Sequence, residues 1–192
     1  MIQAVLFDLD GTLTNTIDDI ATAMNRALRL HGLPGWETKE YCYLVGNGAK
    51  ILAQRAVRDR QDLADAVQAE YQAYYEKHTQ VKTQPYDGIP ELLHALAERG
   101  LKLAVLSNKP DADTKNVISH FFPDVPFSVV RGQVEGVPVK PEQKAFLPAT
   151  TFLNGLPCGF RECSTVPSLT IRQKPKALTP IPPGLPWVWK NA

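Results

Sequence analysis

The first apolar run, residues 2–7, breaks off abruptly into Asp8-Leu9-Asp10-Gly11-Thr12. A short apolar run bounded by a turn signal predicts a buried strand of a parallel sheet. Past Thr14 the period changes from two to about 3.6. Ile17, Ile20, Ala21, Met24, Ala27 and Leu28 recur at helical spacing, with Thr16 as the expected N-cap, Asp18 and Asp19 in the first turn and Gly32 as the stop. Further helices are predicted over 37–44, over 49–57 and from Asp62 onward, with Gly46-Asn47-Gly48 as the break between the first two. Residues 15–81 therefore read as a helical block that follows a single strand.

The turn-rich segment Gln84-Pro85-Tyr86-Asp87-Gly88 brings the chain back to a different pattern. A helix over 91–99 ends at Gly100, and a strand over 101–106 ends in Ser107-Asn108-Lys109-Pro110. A helix over 111–121 and a strand over 127–130 follow. Strands alternating with helices of this length predict βαβ units and a parallel sheet. The expected fold class is α/β: a Rossmann-like parallel-sheet core, split over 1–14 and 82–141, with a helical cap over 15–81 inserted between its halves.

Composition changes this picture little. The 192 residues suffice for one sizeable core or a core and a small second domain, and 44% apolar with 21% charged residues is ordinary for a globular protein. A formal charge of +1 gives no reason to expect nucleic acid or an anionic membrane as partner. No run reaches the length of a membrane span, and the first residues lack the pattern of a signal peptide. Cys42, Cys158 and Cys163 have no C-x-x-C spacing, and free thiols in a reducing cytoplasm are the expectation.

The candidate chemistry lies at the end of the first strand. Residues two apart in an extended segment point the same way, so Asp8 and Asp10 can face one pocket at the carboxyl end of a sheet, where open α/β sheets bind ligands. Two carboxylates so close repel one another, and a bound cation is the usual remedy. A polar turn after a strand is the plain alternative. Ser107, between a strand and a helix, can hold a phosphate oxygen or cap the helix. Lys140 in Val139-Lys140-Pro141 reads alone as a surface turn.

Taken together, Phe7-Asp8-Leu9-Asp10-Gly11-Thr12-Leu13, Leu106-Ser107-Asn108-Lys109 and Val139-Lys140-Pro141 resemble the first three motifs of the haloacid dehalogenase-like hydrolases. Thr14-Asn15-Thr16, Asp19-Ile20-Ala21, Ala23-Met24-Asn25 and Val45-Gly46-Asn47-Gly48 are similar to the phosphoglycolate phosphatase branch. The resemblance implies an Mg²⁺-dependent phosphatase acting on a small phosphorylated metabolite such as 2-phosphoglycolate. It implies Asp8 as nucleophile, Asp10 as acid/base, Lys140 as the neutralising cation, and Ser107 and Asn108 as phosphate ligands. Asp8 and the Asp10 backbone carbonyl would hold the metal, and Gly46, Asn47 and Gly48 would form the substrate loop. Pyrophosphatase and hexose-phosphate mutase activity are alternatives within the class.

The resemblance stops near residue 142. No Asp follows Asp124, the only acids after Lys140 are Glu142 and Glu162, and nine of the sixteen prolines lie in 141–192. Gln143 stands where the third motif usually has Pro, and the fourth, acidic motif is absent. Residues 142–192 form an atypical Pro-rich tail, either disordered or the product of a shifted reading frame, so that the C-terminal part of the core is missing or replaced. A non-catalytic remnant that binds phosphate esters or a partner is the reading this departure favours.

Overall fold

A computed structural model of the chain describes residues 3–142. The expectations for Ile2, Gln143, Cys158, Glu162, Cys163 and the Pro-rich tail from 143 onward lie outside the described residues.

Among the described residues, three strands form a parallel sheet in the order β1-β4-β5, with β1 at Ala4–Phe7, β4 at Lys102–Pro110 and β5 at Phe127–Gln133. Helices α5 (Ile89–Glu98) and α6 (Asp111–Phe121) precede and follow β4 in the chain. The apolar faces of these elements meet in one cluster that includes Leu9, Leu93, Leu103, Val105 and Val117, all fully buried. Between β1 and α5 the chain runs through α1 (Ile17–Leu30), α2 (Tyr41–Leu44), α3 (Gly48–Ala56) and α4 (Ala64–Tyr75). These helices bury a second cluster, with Met24, Leu28, Tyr41, Ala53 and Val67 at its centre. The parallel α/β class and the inserted run of helices are as the periodicity predicts.

Several boundaries differ for physical reasons. The segment 37–44 is a single helix by pattern, but a 3-10 turn at Thr38–Glu40 precedes α2. Another such turn at Gln61–Leu63 leads into α4. Thr16 occupies the N-cap position of α1 but makes no side-chain capping bond; the Asn15 carboxamide oxygen instead accepts the Ile17 N–H at 3.4 Å. Strand β4 does not stop at Leu106. It continues to Pro110 because β5 continues beside it, Leu106 opposite Arg131 and Pro110 opposite Gln133, with an irregularity between. Ser107 therefore sits inside a strand four residues before α6, and does not cap that helix.

Gly132 permits the close approach of β5 to the start of α6. A Cβ there would lie 2.6 Å from the Asp111 Cα, the Lys109 carbonyl oxygen and the Thr114 Oγ1, and two of these three atoms are backbone. The Gly132 N–H donates to the Asp111 carboxylate at 2.9 Å, which fixes the α6 start against the strand.

The two crossings between sheet and helices are joined to each other. Short strands β2 (Thr14–Asn15) and β3 (Gln84–Pro85) pair antiparallel, Thr14 with Pro85 and Asn15 with Gln84. Just beyond, the buried Asp19 carboxylate accepts the backbone N–H groups of Val81, Lys82 and Thr83 at 2.9–3.0 Å and the Thr83 hydroxyl at 2.8 Å. The Asp read in sequence as a first-turn acid thus directs its charge to the returning segment just before β3, up to 64 residues away. Charge-assisted bonds of this kind contribute about 1.5–3 kcal/mol each, and their donors lose stability when left unpaired. Asp19→Ala is expected to lower unfolding stability by about 3 kcal/mol or more. Urea denaturation of the two proteins measures the loss.

Candidate active site

Asp8 and Asp10 follow directly on the end of β1 at Phe7, and Leu9 between them is fully buried in the sheet cluster while both carboxylates stay partly exposed. After Asp10 the chain folds back: the N–H groups of Thr12, Leu13 and Thr14 all point to the Leu9 carbonyl, at 2.9–3.2 Å. Gly11 occupies the left-handed region with φ of 78°. Both carboxylates end at the carboxyl edge of the parallel sheet.

Each carboxylate meets its own lysine. The Lys140 ammonium donates to Asp8 Oδ1 at 2.6 Å and to the Leu106 carbonyl at 2.6 Å. The Lys109 ammonium donates to Asp10 Oδ1 at 2.9 Å and to the Tyr75 hydroxyl at 2.7 Å. The two pairs differ in setting. The Asp8 side chain is 44% exposed, whereas that of Lys109 is 3% exposed. Opposite charges at this distance relieve the repulsion between neighbouring carboxylates, the task that the sequence reading gave to a cation alone.

Asn108 ties three segments together. Its amide Nδ2 donates to the Gly46 carbonyl at 2.8 Å and to the Lys140 carbonyl at 3.1 Å, while its Oδ1 accepts the Lys140 N–H at 2.7 Å. The Gly46-Asn47-Gly48 loop is in this way set against the end of β4. A Cβ on Gly48 would come within 3.4 Å of both the Asn108 carbonyl and Gln133 Oε1, and both glycines have positive φ, 111° and 84°. Arg55 of α3 braces the loop from behind, donating to the Leu44 carbonyl at 2.8 Å and to Asn47 Oδ1 at 2.9 Å. Ser107 is buried, and its hydroxyl accepts the Lys109 N–H at 3.2 Å.

The structure thus brings Asp8, Asp10, Ser107, Asn108 and Lys140 to one end of the sheet, with Gly46 and Gly48 packed over β4. Asn47 faces Arg55 rather than the carboxylates. Lys109, Tyr75 and Arg55 were missed by sequence reasoning. Lys109 stands inside the quoted Ser-Asn-Lys string and could have been weighed there; Tyr75 and Arg55 carry no local signal. A cleft of about 620 Å³ lined by residues such as Glu76, His78, Gln80 and His120 contains none of the site residues. Among the described residues no three His, Cys, Asp or Glu side chains converge on one point.

Groups near the Lys109–Asp10 pair have displaced protonation equilibria, Tyr75 and Asp113 among them. Burial pushes the Tyr75 phenol well above its ordinary value, and Asp10, Asp113 and Asp19 add to this, so it is a neutral hydroxyl at any working pH. Burial also raises the Asp113 carboxyl; Glu76 and Asp10 reinforce the shift, and Lys109 opposes it. A carboxyl raised in the folded state contributes most stability below its unfolded value and loses that contribution as pH climbs through the folded value.

A model of the haloacid dehalogenase-like hydrolases matches residues 5–155. Over 118 residues the chain is 33% identical to the phosphoglycolate phosphatase of Aquifex aeolicus, covering 60% of this chain and 54% of that protein. Over 112 residues it is 38% identical to the N-acetylmuramic acid 6-phosphate phosphatase of Pseudomonas aeruginosa, covering 57% and 49%. The chain spans about half the length of the curated relatives it matches. A solved structure described as a predicted phosphoglycolate phosphatase from Haemophilus somnus superposes with a TM-score of 0.73 at 29% identity, covering 80% of this chain and 72% of that one.

Asp113→Asn removes a carboxyl that is costly to ionise where it stands. It is expected to raise the unfolding midpoint at neutral pH, with the gain vanishing as pH falls below the usual carboxylate range. Thermal unfolding across pH 3–8, an interval of about five units around the carboxylate values, reads both the sign and the window.

Proposed function

The chain belongs to the haloacid dehalogenase-like hydrolase family, and from that premise we propose that it hydrolyses a small phosphorylated acid such as 2-phosphoglycolate through a phosphorylated Asp8. The observation that carries this reading is the pairing of two carboxylates at one strand end with two separate lysines. Lys140 engages one oxygen of Asp8, and the second oxygen attacks phosphorus to form an acyl phosphate. Asp10 enters the first step protonated on the oxygen that Lys109 does not hold, gives that proton to the departing alcohol, and as the resulting carboxylate takes one from the water that cleaves the acyl phosphate. Lys140 offsets charge on Asp8 and on the transferring group, and Ser107 receives a phosphate oxygen.

The donor set suits Mg²⁺, a hard cation commonly held by one or two carboxylates together with water and substrate phosphate. Asp8 and the Asp10 backbone carbonyl would hold it, and when bound it supplies further neutralisation of phosphate charge. The Gly46–Gly48 loop, held on β4 by Asn108, would contact the substrate's non-phosphate end. We assign 15–81 as the cap and 1–14 with 82–141 as the core. Names of relatives alone favour phosphoglycolate over other small phosphate esters, and the muramic acid phosphate enzyme widens the range.

The absence of any Asp after Asp124 favours a second reading, a chain that binds phosphate esters and turns them over slowly or not at all, because one metal-holding acid is lacking. The same assay separates the two. Phosphate release from 2-phosphoglycolate with and without Mg²⁺, set beside isothermal titration with the same ester, reports turnover and binding independently. Turnover that needs Mg²⁺ and falls at least about a thousandfold in Asp8→Asn supports the enzyme. Binding without turnover supports the remnant, and neither binding nor turnover with any of a panel of small phosphate esters sinks both.

A further inference from the structure

The Lys109 ammonium is a buried charge with no part in the phosphate chemistry so far described. A buried ammonium is tolerated only with close compensation. Here that compensation comes from two different parts of the molecule. Asp10 Oδ1, beyond the end of β1, lies 2.9 Å away, and the Tyr75 hydroxyl, at the last residue of α4, lies 2.7 Å away. The ammonium also stands 4.7 Å from the centre of the Tyr75 ring, a cation–π distance. Tyr75 cannot shift freely. Its side chain is almost fully buried, and its ring stacks on Tyr71 at 5.2 Å between centroids. The phenol is neutral, so it meets the ammonium as a hydroxyl oxygen acceptor and leaves the ionic partner role to Asp10.

We propose that Lys109 is a positioning residue for Asp10, and that Tyr75 of α4 sets Lys109. The carboxyl that transfers the proton is then correctly turned only while the helical insert is seated on the sheet as in this structure. The proposal rests on the reading of Asp10 as acid/base. Lys109 acts through Asp10: it occupies one oxygen of that carboxyl and so presents the other. The loop and Asn108 report the seating of the insert to the Lys140 side of the site. The Tyr75–Lys109 contact reports it to the Asp10 side, on separate atoms.

A defect in the proton donor shows itself in its dependence on the leaving group. An alkyl phosphate such as 2-phosphoglycolate expels a poor leaving group that needs a proton; p-nitrophenyl phosphate expels one that does not. Lys109→Met is expected to lower kcat on the alkyl ester by about a hundredfold, and on the nitrophenyl ester by less than about tenfold, with KM nearly unchanged. Tyr75→Phe, which deletes only the hydroxyl, is expected to change the two in the same order by a smaller factor. Equal losses on both esters, or losses confined to KM, would overturn the assignment.

A measurement free of turnover keeps the two readings apart. Tyr75 and Asp10 are linked through Lys109, so the unfolding-midpoint shifts of Tyr75→Phe and Asp10→Asn should be non-additive in the native background. They should become additive when Lys109→Met is also present. Additivity in the native background would refute the linkage whatever the activity. Failure of the wild-type chain to hydrolyse either ester, with the non-additivity intact, would count against the phosphatase reading and leave the linkage standing.

Discussion

Two carboxylates separated by a single residue at the end of a strand constitute a standing electrostatic problem, and the rest of the molecule is arranged around its solution. Each carboxylate has a lysine of its own, and neither lysine comes from the same strand. Lys109 arrives on β4, and Lys140 arrives on the segment after β5. The site therefore does not exist in any one stretch of chain. It forms only when β1, β4 and β5 lie in register, since that pairing brings the ends of three segments to one edge. Tight packing of β5 on α6 at Gly132 belongs to the same requirement, because β4 and β5 must stay paired as far as Gln133 to hold Lys109 and the start of α6 in place.

The helical insert enters this arrangement at two points. On one side the Gly46 carbonyl meets Asn108, which also grips the backbone of Lys140. On the other, Tyr75 meets Lys109. Both contacts are made by polar groups against the carboxyl end of β4, where the chain is neither a free loop nor yet a helix. That is the reason β4 has to run on past its apolar residues. The extended backbone of Ser107-Asn108-Lys109 sends Asn108 toward the loop and Lys109 toward α4, whereas an early turn into α6 would have pointed them elsewhere.

Much of this was legible in the residues. The alternation of strands and helices gave the parallel sheet, and α6 coincides with its predicted span, with Pro110 at its N-cap position and Asp111 and Asp113 in its first turn. The strand-end acids were legible as candidates from their spacing, and Ser107, Asn108 and Lys140 through the resemblance of their motifs to the haloacid dehalogenase-like hydrolases; the structure draws them to one edge. What remained hidden depends on distant partners. No local rule says that Asp19, a good first-turn acid, accepts three backbone N–H groups from residues 81–83. None says that Thr16, a good capping residue, leaves that role to Asn15. Nor does the apolar pattern mark the end of β4, since Ser107, Asn108 and Lys109 are polar yet buried, and polarity is the cue by which a strand end is ordinarily read. Tyr75 carries no local signal at all, because its hydroxyl finds a use only once Lys109 lies within 2.7 Å of it.

The pairing of β2 with β3 bears on how such a molecule can change over generations. Seen from the sheet, everything from Asn15 to Gln84 is one long loop whose ends are already fastened side by side. The entropy lost on closing a loop grows only with the logarithm of its length, so lengthening or replacing this one costs the sheet little once its mouth is closed. The carboxylate edge can then persist while much of the insert is exchanged, provided that a replacement still meets Lys109 as Tyr75 does and Asn108 as Gly46 does, and a lineage can explore new ligands by rewriting the rest of the loop without refolding the strands.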